Sequence, residues 1–188
     1  MNITERLSPH LTLYEFTHSD TADRLGYDNS LPENLLEAAM LTGVMLELVR
    51  KVLGTPMWIS SGYRCPELNK AIGSGPSSDH VKAEALDFKA PGFGTPLEIC
   101  HALLPCMQQL GIGQMIYEHS WVHISTRSPI NAVNVVLSLS GRGYVMGLSK
   151  HDGSWLADPG LFLSQSSSIF KRPISPLRRS GALSAETG

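Results

Sequence analysis

No stretch of the 188-residue chain approaches the roughly 18 consecutive apolar residues that a membrane-spanning helix needs. No membrane insertion is expected. An excess of positive charge is missing too. Lys and Arg number 15 against 17 Asp and Glu, for a formal net charge of −2, so no basic face for nucleic acid is implied. Cysteine is scarce. Cys65, Cys100 and Cys106 are odd in number and show no CxxC spacing. That pattern disfavours a disulfide framework or a cysteine metal site and fits reduced thiols. The opening residues MNITERLSPHLTLYEF lack a basic start followed by an apolar run, so no secretory signal and a cytoplasmic site of synthesis are expected.

The chain is long enough for one domain with a core of its own, and its 42% hydrophobic content is that of a globular protein. No internal repeat is present. Pro32 suits a first helical position. Leu35, Leu36, Ala39, Met40, Gly43, Val44, Met45 and Leu46 then recur at roughly helical spacing until Gly54, just after Arg50 and Lys51. The pattern predicts a helix over about 32–53. Thr95-Pro96-Leu97-Glu98 is a capping box that predicts a second helix over about 96–109. Shorter helices are expected near Ser19–Asp23 and from Pro66 to Ile72. Pro56–Ser60 and Ala85–Phe88 read as strands, Gln114–Glu118 with Trp121–Thr126 as a hairpin, and Asn131–Ser140 with Tyr144–Leu148 as another. Residues 1–152 read as the domain. Residues 153–188 become rich in Ser, Pro, Arg and Gly and read as a partly disordered C-terminal extension.

The chemistry concentrates in SDHVKAEALD, residues 78–87, and WVHIS, residues 121–125. His80 and Asp87 are seven apart and cannot share one face of a helix, but a loop followed by a strand brings such a pair to one point. Asp87 lies between Leu86 and Phe88, and a carboxylate buried in a strand needs a partner, of which a metal is one. Alternation puts Trp121, His123 and Ser125 on one strand face and Val122 and Ile124 on the other. Taken singly, His80 reads equally as a solvated loop side chain and His123 as a core or edge histidine. Together, two imidazoles and one carboxylate leave the fourth position of a tetrahedral Zn²⁺ open, the ligand count of a catalytic site.

SSGYR at residues 60–64 with Leu68-Asn69, then SDHVKAEALD, then YEHSWVHIS, resembles the LAS-type zinc peptidases. These are the D-alanyl-D-alanine carboxypeptidases, the phage L-alanyl-D-glutamate endolysins and, by fold, the hedgehog domains. Ser78, His80, Ala85 and Asp87 fall in register with the family pattern S-x-H-x-x-G-x-A-x-D. Ala83 stands where the family carries Gly, which would be strained if the position needs a positive φ. The resemblance spans about residues 8–148. It implies an α+β fold, an antiparallel sheet with helices packed on one side. It implies one Zn²⁺ held by His80, Asp87 and His123, Arg64 orienting the substrate, and Ser78 touching substrate or supporting a ligand. Many relatives carry an acid three residues before the last histidine, where this chain has Ser120. Glu118, five before it, is the favoured general base, as in relatives that place their glutamate at the end of the preceding strand. His119 is the alternative, as a transition-state donor.

The expected function is hydrolysis of a peptide bond in bacterial peptidoglycan stem peptides or cross-links, by a phage or prophage lysin acting on the wall after release, or by a virion-associated peptidase. The alternative is a non-catalytic, zinc-stabilised binding or structural domain of the same fold. Oligomeric state and the bond cut are not legible in the residues.

Overall fold

A computed structural model describes residues 5–127, 135–140 and 143–149. The described chain begins with the short strands β1 (Arg6–Ser8) and β2 (Leu11–Thr12), which pair with each other. Helix α1 (Leu13–Thr17) follows, and α2 (Asp20–Leu25) comes next. α1 was not anticipated, although Thr12 and Glu15 form a capping box that announces it. A 3₁₀ turn at Glu33–Leu35 leads into the long helix α3 (Leu36–Leu53), with Pro32 at the N-cap of the turn. Gly54 closes α3 in the left-handed conformation that glycine takes without strain. Strand β3 (Trp58–Ser61) and helix α4 (Pro66–Ala71) precede a second 3₁₀ turn at Asp79–Lys82 and strand β4 (Ala85–Lys89).

Helix α5 (Pro96–Leu103) starts at the expected Thr95–Glu98 capping box. It ends earlier than predicted, because Pro105 supplies no backbone N–H, and Leu104–Cys106 tighten into a 3₁₀ turn. The strands β5 (Gln114–Tyr117) and β6 (Val122–Ser125) form the expected hairpin, and β7 (Val135–Ser140) with β8 (Gly143–Met146) form the second. Residues 131–134, assigned above to that second hairpin, and the extension at 153–188 lie outside the described residues.

The main sheet has the order β3-β4-β6-β5-β7-β8. Every neighbouring pair is antiparallel except β5 and β7, which run parallel, so the sheet is mixed at one joint. Both sides of β6 are already occupied, by β4 and β5, so β7 adds to the far edge of β5 and runs in its direction. The fold is α+β, as expected. Leu86, Phe88, Met115, Val122 and Ile124 point from the central strands into one core with Ala39, Met45, Leu46 and Val49 of α3 and Ile99, Cys100 and Leu103 of α5. Burying each large side chain contributes on the order of 1.5–3 kcal/mol. The two long helices thus cover one face of the sheet, and the polar residues of β4 and β6 collect on the other.

Candidate metal centre

Asp87 and His123 reach the same point because β4 and β6 pair in a register that sets them directly opposite each other. Opposite residues of an antiparallel pair have neighbouring Cβ atoms, so the two side chains rise together from the face away from the core. His80 arrives from the 3₁₀ turn that precedes β4. Its Nε2 lies 3.2 Å from Asp87 Oδ1 and 3.1 Å from His123 Nδ1, and His123 Nδ1 lies 2.8 Å from the same Asp87 oxygen. All three residues are buried.

The turn that carries His80 is pinned from several sides. Ala83 ends it in the left-handed region at φ 58° and is fully buried. The position does require a positive φ, so alanine is strained where glycine would not be. Thr42 Oγ1 of α3 donates to the Ala83 carbonyl at 2.9 Å. Asp79, which no sequence signal singled out, is buried and accepts from Ser125 Oγ of β6 at 2.8 Å, with Lys82 and Arg127 nearby. His80 Nδ1 sits 2.6 Å from the Gly62 carbonyl. Gly62 is itself enforced, since a Cβ there would collide with the ring and carbonyl of Phe16.

A carbonyl only accepts, so His80 Nδ1 carries the proton and Nε2 turns its lone pair toward Asp87 and His123. Burial lowers the pKa of His80, which favours this neutral form. Burial alone would raise the Asp87 carboxyl, but the two histidines set against it, with His123 Nδ1 at 2.8 Å, hold it well below the usual carboxylate range. His80 Nε2 and ionised Asp87 Oδ1 both only accept. The point between them calls for a positive group, either a proton on His123 Nδ1 or a metal ion in its place. Two imidazole nitrogens and a carboxylate oxygen within 4.8 Å of one another suit Zn²⁺. Another group of metal-binding types among the described residues, His18, Asp20 and Asp23, is exposed and reads as solvated surface pairs.

Arg64 is drawn to this centre more directly than expected. Its Nη2 pairs with Asp87 Oδ2, the carboxylate oxygen that the histidines leave, and its Nε donates to Ser61 Oγ at 2.8 Å. Its Nη1 makes no hydrogen bond among the described residues. The loop that carries it is clamped by Asn29, another residue the sequence reading passed over. Asn29 Oδ1 accepts from the Cys65 N–H at 2.7 Å, and its Nδ2 donates to the carbonyls of Thr17 and Tyr63. Ser78 is half-buried at the start of the His80 turn, and its hydroxyl makes no hydrogen bond among the described residues.

Glu118 follows β5 in the tight turn to β6, with the Ser120 N–H bonded to its carbonyl. Burial, with the negative charge of Asp87, raises its carboxyl above the ordinary value, while the charges on His123 and Arg64 act the other way. Glu118 is thus within electrostatic reach of Asp87, His123 and Arg64. Tyr144 of β8 donates its hydroxyl to Glu118 Oε1 at 3.2 Å. Burial and the Glu118 charge push the Tyr144 phenol up to about 12, so the proton stays on the tyrosine. His119 has φ 58° and its Nε2 lies 2.5 Å from the Leu139 carbonyl of β7, which ties that nitrogen to the backbone of the next strand.

A profile of the family described as Peptidase M15 matches residues 9–125. No curated protein matches the chain. The matched span contains Arg64, Ser78, His80, Asp87, Glu118 and His123, whereas Tyr144 lies beyond it.

Proposed function

Starting from a chain that belongs to the Peptidase M15 family of zinc-dependent metallopeptidases, we propose that His80, Asp87 and His123 hold its zinc and that its peptide substrate is bacterial peptidoglycan. The scissile bond belongs to a stem peptide or cross-link. The observation that carries this reading is the convergence of two imidazole nitrogens and one carboxylate oxygen on one point, with a carboxylate of raised pKa close by. Zn²⁺ bound there would polarise the scissile carbonyl and acidify a water.

The chain's own residues divide the remaining work. Glu118 takes a proton from the attacking water and delivers it to the leaving amine, which needs its ionised form first. The desolvation that raises its pKa also makes it a stronger base than an exposed glutamate. Tyr144 holds one Glu118 oxygen and leaves the other free to face the reaction. Arg64 fixes Asp87 with one nitrogen and offers its outer edge to a substrate carbonyl or carboxylate, a task suited to a planar fork of donors. Ser78, at the entrance to the His80 turn, is positioned for a polar contact with substrate. Glycan-linked peptides of the wall fit the family resemblance. As a finer reading, the protein acts as a phage or prophage lysin that meets the wall after release, or as a virion-associated enzyme.

Ser120 at the position where many relatives carry the acid favours a second reading, a zinc-stabilised binding or structural domain without turnover. Incubating zinc-loaded protein with purified peptidoglycan of several cross-link types, followed by mass spectrometry of the soluble fraction, separates the two. New peptide fragments with a freed amine are expected, and their masses identify the bond. If no wall type releases a fragment, the scaffold reading replaces the peptidase one.

A further inference from the structure

Helix α3 has two apolar faces. Ala39, Met45, Leu46, Val49 and Leu53 fill the core, as an amphipathic helix requires. On the other side Met40, Leu41, Val44, Leu48 and Val52 remain between 37% and 57% exposed. At 100° per residue these five fall within one continuous stripe. A solvent-facing helix side normally carries charge, and a contiguous apolar patch signals a binding surface. No helix of the described residues is long and apolar enough to cross a membrane.

The ends of the stripe say what fits it. Glu37 lies seven residues before Val44 and Lys51 seven after, and the same periodicity puts both charges on the stripe. Both are exposed, and neither has an ion-pair partner among the described residues. About Val44 the pattern is therefore antisymmetric in charge, with the apolar Met40 and Leu48 placed four residues to either side. An identical helix laid antiparallel, with a two-fold axis at Val44, places Glu37 of each copy against Lys51 of the other. A parallel pair would instead oppose like charges. We propose that the outer stripe of α3 is a docking surface for a second copy of this chain, two α3 helices packing antiparallel about Val44 and closed at each end by a Glu37–Lys51 pair. Such an interface is isologous and closes on itself. It is far smaller than the roughly 20–30 residues a side of a standard interface, so the dimer forms in the micromolar range or above. Thr42, which holds the Ala83 carbonyl, projects from the buried side of α3, so pairing leaves the candidate metal centre open.

Sedimentation of the zinc-loaded full chain, from about 1 μM to about 1 mM, tests this. The wild type is expected to shift from monomer to dimer across that range. Val44→Lys should remain monomeric, because it would press two ammonium groups together on the axis. Glu37→Lys and Lys51→Glu should each weaken the dimer about tenfold, and the double variant Glu37→Lys/Lys51→Glu should recover it, since the pairs are re-formed with their signs exchanged. All these positions are exposed, so unchanged zinc content and melting temperature serve as folding controls. A wild type that stays monomeric to the highest concentration overturns the proposal and gives the stripe to another occupant. A dimer that the charge exchange does not restore overturns it as well, by locating the interface elsewhere.

Discussion

His80 and Glu118, the proposed metal ligand and the proposed base, are held in opposite ways. His80 is 2% exposed, with Nδ1 tied to the Gly62 carbonyl, Nε2 aimed at Asp87, and its turn fastened by Thr42 and by the Asp79–Ser125 bond. Glu118 stands on a turn and rests on Tyr144, which is 57% exposed on the β8 strand. The floor of the centre fixes charge and geometry through many mutually supporting contacts. The rim has few, and its tuning comes from partial burial. A metal ligand must not move when its neighbours do, whereas a base must meet substrate, exchange protons with it and let product go.

Removing the floor should have the largest effect. His80→Ala/His123→Ala leaves Asp87 without either imidazole and one ligand where three are needed. Zinc content, measured on protein purified without added metal, should fall from about one equivalent per chain to none, with activity lost entirely. Full retention of metal would remove these residues from the site. On the rim, Glu118→Gln keeps shape and loses basicity. It should retain zinc and melt normally while turnover falls by about 10²- to 10⁴-fold. Equal activity in the variant would put the base elsewhere, with His119 next to be tested.

Arg64 joins floor and rim, and its substitution sharpens the comparison. Arg64→Ala strands Asp87 Oδ2 in a buried setting, so metal-free protein should lose roughly 3 kcal/mol of stability in denaturant melts. Zinc-loaded protein should lose less, since the ion itself offsets the Asp87 charge. Equal loss in both forms would mean that the arginine acts on the fold and not on the carboxylate. Tyr144→Phe should have the smallest effect, confined to the rim. The hydroxyl helps hold the Glu118 pKa down against the burial that raises it. If Glu118 is the base it must be ionised to act, so wild-type activity should fall as the pH drops toward a value above the ordinary glutamate range. The variant should show that acidic limb displaced to higher pH, with zinc content unchanged. A coincident profile would separate Tyr144 from the base.

Much of this was open to reading along the chain. The α3 periodicity, the Thr95–Glu98 cap, the alternation in Trp121–Ser125 and the buried setting of Asp87 are local signals. They reflect backbone and side-chain preferences expressed within a few residues. The early end of α5 was local as well, and Pro105 announced it. Asp79 and Asn29 were not legible, because a buried polar residue is recognised only through its partners, and theirs lie 46 and 36 residues away. Nor was the attachment of Arg64 to Asp87. The bulge that shifts the register between β3 and β4 brings that loop onto the carboxylate, and strand residues carry no mark of which partner they will take.

By itself the order of residues determined the types of candidate ligand, their attachment to a loop and two strands, and the α+β class. Only the tertiary structure decided that Asp87 stands opposite His123, that Ala83 carries a positive φ, that Tyr144 reaches back to Glu118 and that α3 keeps an apolar side uncovered. The first set follows from short-range sterics and periodicity, which act between neighbours in the chain. The second depends on strand register and on which surfaces meet, and these are settled by the packing of the whole core.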